Sequence, residues 1–414
     1  MFFVFIMDER SFRLAIERER KECSAPLQQL GVFVSCGVQC GGVTSGRYSV
    51  LQQATKTGDN KARMSPFAFE FLVETGGSFI CAVVITYSGI MSSKQNQPTT
   101  GERDMQSFNC VLGSGKSVST CASTRLGTRK SQEDRLVLCE QFFGHVVLAV
   151  FDGTVGDFAS HFCQANFLHF LGASASFQQL CKSLEDVPEG DDIPSTVAAL
   201  AGASLAEALK ATDVALVDEC AKINNNYASS TAIVAMVTRG SLVSAAHLGD
   251  SRLAIGTNGQ SAAFVTTDHK ADTPAERERI EASGGSVVYL HKGKPFIRGG
   301  DFTARQAQGD RPMQLNYSRA MGGKDLKMFG LSREADVWQR MLTEEFVLVL
   351  GSDGLWDTIS CNNAIHGALQ ARQQGTNPAQ FLVDMGLRGL AQRGSSDNVT
   401  VVCCFLDGAC YSSR

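Results

Sequence analysis

Val146-Val147-Leu148-Ala149-Val150-Phe151 runs without a polar residue straight into Asp152-Gly153. An apolar run of this length, closed by a turn signal, reads as a buried strand. The arrangement recurs. Phe346-Val347-Leu348-Val349-Leu350 runs into Gly351-Ser352-Asp353-Gly354, and Ser396-Asp397-Asn398 leads into the apolar run Val399–Leu406. Thr231–Val237 is a fourth run of strand length.

Helical text lies between these runs. Across 196–222 the apolar positions Val197, Leu200, Leu205 and Leu209 fall on one stripe. Thr273 with Glu276 three residues on predicts a capping box, with Pro274 at the first helical position and Gly284-Gly285 as the stop. A last helix is predicted from Asn377-Pro378, with Phe381, Leu382, Met385 and Leu390 on its face and an end near Gly394. No internal repeat is visible. Helices set unevenly among strands predict an α+β layer arrangement rather than strict βαβ alternation.

The aspartates at the strand ends carry the chemistry. An ionised carboxylate beside a buried strand is costly unless something pairs with it, and a neighbouring glycine lets backbone or a bound group come close. One Asp-Gly is ordinarily a turn. Asp152, Asp353 and Asp397 together, without a surplus of basic neighbours in the sequence, make a hard divalent cation the economical explanation. Oxygen-only ligands favour Mg²⁺ or Mn²⁺ over Zn²⁺. Upstream, in Gly127-Thr128-Arg129-Lys130-Ser131-Gln132-Glu133-Asp134-Arg135, Arg129 is a natural fork for a phosphate, and Glu133 or Asp134 is a candidate for a second metal site.

Composition narrows the alternatives. With 414 residues, 43% hydrophobic and 19% charged, the chain has enough apolar residues for a large core. A net charge of −4 argues against a general nucleic-acid binder, which needs a basic face. The mixed run Glu17–Glu22 cancels its own charge and reads as a solvated helix face. The 14 cysteines lack paired CxxC spacing and read as small buried thiols of a reducing compartment. The Gly113–Ser117 stretch ends like a phosphate-binding loop, but Cys110 stands where its first glycine belongs, so it is discarded as a nucleotide site.

Residues 1–105 read as an N-terminal extension of unknown role, and 106–410 as the functional domain. The opening Met1–Met7 is too short for a signal core, and Thr75–Met91 falls short of a membrane span, so a soluble protein is expected. Polar text from Ser92 to Thr100 reads as a linker. Met91 is a candidate for the true start, an idea that peptides from 1–90 in the native protein would sink.

Seven blocks in order resemble the metal-dependent protein phosphatases of the PP2C type, covering about residues 125–406. They are Gly127–Arg135; Phe151-Asp152-Gly153; His247-Leu248-Gly249-Asp250-Ser251-Arg252; Thr267-Asp268-His269-Lys270 with Ile280 and Gly284-Gly285; Ser318-Arg319-Ala320-Met321-Gly322; Ser352-Asp353-Gly354-Leu355-Trp356-Asp357; and Gly394–Thr400. The resemblance implies a central β-sandwich of two antiparallel sheets flanked by helices, with two Mn²⁺ or Mg²⁺ ions at one end. By matching position, Asp152 bridges both ions and Gly153 ligates one through its carbonyl. Asp353 and Asp397 complete one ion, Glu133 reaches the other, and Arg129 holds the substrate phosphate. Asp357 matches a weaker third metal position. The implied reaction is attack by a metal-activated water on phosphoserine or phosphothreonine of protein substrates. The implied setting is intracellular, cytoplasmic or nuclear, as a monomer without nucleic-acid or membrane partners. His247, Asp250, the 268–270 block and Trp356 take structural readings.

The pattern also breaks. Asp152-Gly153-Thr154-Val155-Gly156 stands where the family usually reads Asp-Gly-His-Gly-Gly, so Thr154 replaces the presumed general acid. His161 is expected two helical turns away, facing elsewhere. Asn226 replaces an acidic third-metal residue, which weakens that site, and Gly323 replaces the Asp that usually ends the Ser318 block. The flap segment Lys324–Arg333 is short, and an insertion at about 288–313 is expected to replace part of it. Two readings follow: an active phosphatase with an altered acid step, or a pseudophosphatase that binds phosphoproteins as a scaffold or regulator.

Overall fold

The computed structural model describes residues 117–407, except 189–190, 240–241, 258–261, 292 and 343, and ahead of them the strands Phe2–Met7, Phe67–Thr75, Ser78–Thr86 and Arg103–Val111. The charged run at 17–22, the polar stretch at 92–100 and most of the Gly113–Ser117 stretch lie outside the described residues. The chain divides between Gln97 and Pro98 into two units. In the first, Ser78–Thr86 lies between Phe2–Met7 and Phe67–Thr75 and pairs antiparallel with both.

The second unit is built on two large antiparallel sheets, with two small three-stranded ones beside them. The strands of the large sheets are β1 (Arg103–Val111), β2 (Ser117–Arg125), β3 (Arg135–Phe142), β4 (His145–Phe151), β5 (Ala232–Thr238), β6 (Leu242–Leu248), β7 (Arg252–Thr257), β8 (Ala262–Val265), β9 (Asp336–Met341), β10 (Phe346–Gly351) and β11 (Val399–Asp407). One sheet has the order β8-β7-β10-β11-β2-β1 and the other β9-β6-β5-β4-β3. The helices are α1 (Phe158–Ala173), α2 (Ala175–Glu185), α3 (Ser195–Lys222), α4 (Pro274–Ala282), α5 (Cys361–Gln373) and α6 (Pro378–Gln392).

Alternate side chains of one strand enter different cores, which explains why the runs carry no polar residue. Val146, Leu148 and Val150 of β4 meet Leu348, Leu350, Val402 and Cys404 between the sheets. Their neighbours Val147, Ala149 and Phe151 pack with Phe167 and Leu171 of α1 and with Leu205 and Leu209 of α3. On the far side, Val347, Val349, Val401 and Cys403 pack with Ile365 of α5 and Leu382 of α6. The result is the expected sandwich of two sheets with helices on both outer faces. Five of the described cysteines (Cys121, Cys163, Cys220, Cys403 and Cys404) are buried.

Two helix ends behave differently. Asn377 caps α6 as its sequence suggests, accepting from the amides of Ala379 at 3.0 Å and Gln380 at 3.2 Å. The capping box at α4 does not form. Thr273 is the N-cap residue, but its hydroxyl donates to the Lys270 carbonyl at 2.9 Å. Glu276 turns away into a buried network with Arg279, Ser318 and Arg319, whose charged donors outbid the neutral cap amide. The insertion folds as a hairpin, Ser286–Leu290 against Lys294–Arg298, followed by a helical turn Phe302–Ala307. In the short flap segment, Lys324–Lys327 forms one helical turn.

Candidate active site

Each strand end delivers its aspartate by a different local device. Asp152 follows β4 and is locked to the neighbouring strand: its amide donates to Thr231 Oγ1 at 3.2 Å, and the Thr231 amide donates to its carbonyl at 2.9 Å. Gly153-Thr154 then pairs with Ser229-Ser230, which pairs in turn with Met321-Gly322. A Cβ on Gly153 would lie 2.6 Å from the Glu133 carbonyl oxygen, so only glycine fits this approach. Asp353 opens a helical turn after β10. Asp397 precedes β11 and accepts from the Asn398 amide at 2.9 Å.

Asn398 fastens the upstream acidic loop to this end of the sandwich. Its Oδ1 accepts from the Glu133 amide at 2.8 Å, while Nδ2 donates to the carbonyls of Leu126 at 2.9 Å and Ser131 at 3.1 Å. The Glu133 carboxylate accepts from the Gly156 amide at 3.1 Å and the Ser131 hydroxyl at 2.7 Å. Asp134 points inward, buried, and accepts from Ser352 Oγ at 2.8 Å. The two candidate acids therefore split, Glu133 on the loop side and Asp134 among the strand-end aspartates.

Burial and mutual repulsion dominate the electrostatics. Burial first, then Asp134, Asp353, Asp250 and Asp397, push the Asp152 carboxyl well above the usual range. Asp353 rises for the same reasons, with Asp250 and Asp397 its strongest carboxylate neighbours. Burial lifts Asp134 to about 6 against hydrogen bonds from Thr400 and Ser352. Burial raises Asp397 although Arg129 stands 3.0 Å away. Asp250 joins the cluster through its charge, and its own pKa is raised by burial against the opposing pull of Lys270, with which it is ion-paired. That role was not visible in the sequence, where Asp250 reads only as a turn residue.

Arg129 faces Asp397 and also donates from Nε to the Ser396 carbonyl at 2.8 Å. Asp357 lies at the rim, exposed, 3.4 Å from Lys294 of the insertion hairpin. Asn226 donates to Asn224 Oδ1 at 3.4 Å. His161 is exposed on α1. Thr154 Oγ1 lies 2.8 Å from the hydroxyl of Tyr317, a residue that sequence reasoning passed over. Burial raises the Tyr317 phenol above its usual value, so it stays protonated. Val155 beside it is exposed at φ +63°, a costly conformation for a β-branched residue, and Gly156 follows at φ +89°.

Whether this donor set suits a metal follows from its chemistry. Asp134, Asp152, Asp250, Asp353 and Asp397 offer oxygen only, and each carries a raised pKa that a bound cation would relieve. They fit a hard divalent ion. Among the described residues, a tighter group is His247, His269 and Asp336, with donor atoms within 4.8 Å of one another. Its spacing passes but its chemistry refuses. His247 Nε2 faces the Thr267 carbonyl at 2.9 Å, His269 Nδ1 accepts from the Gly249 amide at 3.1 Å, and Arg319 holds Asp336 at 2.7 Å. Those groups tie β6 and β9 together, and the more widely spread aspartates remain the better metal site.

A sandwich of this topology with carboxylates gathered at one end defines a class, and comparison with known proteins gives the same one. Residues 120–399 match the family described as Protein phosphatase 2C. The chain belongs to the protein phosphatase 2C family, a family of metal-dependent protein serine/threonine phosphatases. It is 29% identical over 313 residues to "Probable protein phosphatase 2C 57" of Oryza sativa, spanning 70% of this chain and 71% of that protein. The crystal structure of serine-threonine phosphatase 2C from Toxoplasma gondii shares 41% identity, covers 73% of this chain and 99% of its own, and superposes with a TM-score of 0.66. A C. elegans sex determining protein shares the fold at 20% identity over 69% of this chain and 64% of its own, with a TM-score of 0.54. Among the described residues no helix is long and apolar enough to cross a membrane.

Proposed function

We propose that the chain hydrolyses phosphoserine and phosphothreonine in proteins, with two Mn²⁺ or Mg²⁺ ions held at the end of the sandwich. The observation carrying this reading is the gathering of Asp152, Asp353 and Asp397 from three separate strand ends, with carboxyls raised by burial and by one another. Asp152, the Gly153 carbonyl, Asp353, Asp397 and Glu133 would hold the two ions, and Asp357 would serve a weak third position. The chemistry such ions supply is charge against the phosphate oxygens and an acidified water.

The remaining work falls to side chains. Arg129 stands beside Asp397 on a half-exposed side chain, and its guanidinium would present a fork to two phosphate oxygens once Asp397 engages a cation. Asn398 keeps the Glu133 loop in register with Asp397. Thr154 cannot deliver a proton at neutral pH as an imidazolium would, and positioned acid catalysis contributes about 10²- to 10⁴-fold. Turnover of alkyl phosphates is therefore slow. Binding of phosphoproteins without turnover is the competing reading, favoured by that same threonine.

The test compares p-nitrophenyl phosphate, whose leaving group departs unprotonated, with a phosphothreonine peptide in Mn²⁺. The wild type should prefer the former, Thr154→His should raise the peptide rate selectively, and Asp353→Asn should abolish both. Metal binding with no turnover of either substrate would leave the scaffold reading standing. An equal response of both substrates to Thr154→His would sink the missing-acid account.

A further inference from the structure

Thr154 and Ser229 face each other across two short strands, so their side chains leave on the same side of that small sheet. The Tyr317 hydroxyl sits over the pair, 2.8 Å from Thr154 Oγ1 and 3.3 Å from Ser229 Oγ. Its ring is only 3% exposed and belongs to a core with Ile280, Ile297 and Leu331. The next residue is clamped twice. The Ser318 amide donates to the His269 carbonyl at 2.9 Å, and its hydroxyl donates to the buried Glu276 carboxylate. The phenol thus reaches Thr154 from a fixed base, with little freedom of its own.

We propose that Tyr317 is a positioning residue for the reaction at Thr154. A phenol is a better donor than an alcohol, so Tyr317 donates and Thr154 Oγ1 accepts. One threonine lone pair is then occupied, and the proton of this partly exposed threonine is turned away from Tyr317. It can then hydrogen-bond the departing alkoxide oxygen of phosphothreonine or phosphoserine, the proton remaining on Thr154. The inference rests on the hydrolytic reading above, and deepens it by giving Thr154 a defined orientation in place of an acid.

A double-mutant cycle of Tyr317→Phe and Thr154→Val, in Mg²⁺, tests it by two readouts. In urea unfolding, Tyr317→Phe should lower the midpoint, and by less than half as much once Thr154 is valine. In kinetics, Tyr317→Phe should lower kcat for a phosphothreonine peptide about tenfold more than for p-nitrophenyl phosphate, with no further change of that ratio in the double variant. Additive unfolding midpoints would overturn the hydrogen bond. An unchanged substrate ratio in an active protein would overturn the positioning role, whereas a wild type inert toward both substrates would overturn the hydrolytic reading on which it rests.

Discussion

At the scale of single residues, Asp152 shows how a carboxylate takes its character from its company. Burial and the neighbouring acids disfavour its charged form, and the cations facing the cluster, Arg129 and Lys270, are already engaged by Asp397 and Asp250. A divalent ion must displace whatever protons these raised carboxyls hold. Mn²⁺ should therefore raise the melting temperature of the metal-free protein more at pH 7.5 than at pH 5.5. At a hundredfold excess over Kd the stabilisation is about 2.7 kcal/mol. Calorimetry at both pH values, with Asp152→Asn as the variant that should lose the shift, checks this. Asp152, Asp353 and Asp397 were legible as a set because each sits beside an apolar run. Asp250 was not, because its nearness to them depends on how strands far apart in sequence are laid side by side.

At the scale of elements, α4 is held by Glu276. Its carboxylate is buried and accepts from Arg279 Nη2 at 2.7 Å and from Arg319 at 3.0 and 2.7 Å. Burial opposes ionisation, but Arg279, Arg319 and Ser318 overcome it and hold the acid down to about 2 from an ordinary 4.5. A depressed acid contributes stability that is present above pH 4.5 and is lost as pH falls toward 2. That contribution is about 3 kcal/mol. Glu276→Ala, which leaves Arg319 short of its buried partner, should cost about 3–5 kcal/mol in urea unfolding at pH 7 and remove this acid-dependent part. The capping-box pattern misread the same residue. Local spacing correctly located the start of α4, but two arginines, one of them 43 residues away, offered the carboxylate stronger donors.

At the scale of the whole molecule, the interior between the sheets is the common support of all three strand-end aspartates. Leu348 of β10 is fully buried there with Leu148 of β4 and Val402 of β11. Leu348→Ala should destabilise the protein by about 2–5 kcal/mol. Because Leu348 lies within β10, well before Asp353 at its end, kcat at 20 °C should stay close to that of the wild type, while thermal inactivation comes several degrees earlier. A matched loss of kcat at low temperature would show that the sandwich core sets the site geometry more tightly than this.

The apolar runs, their lengths and the aspartates punctuating them were determined by the sequence alone, because strand formation and burial follow from composition over a few consecutive residues. Those features were enough for an α+β layer arrangement and for the acids at the strand ends, whereas the two-sheet sandwich followed only from the resemblance to the PP2C phosphatases. The tertiary structure alone decided which acid faces inward at Glu133-Asp134, that Asn398 pins the loop of Glu133, and that Tyr317 meets Thr154 across 163 residues of chain. Side-chain partners so distant in sequence leave no periodic trace. Such a hydrogen bond needs its two atoms within about 3 Å, and only the packing of the intervening chain brings them that close.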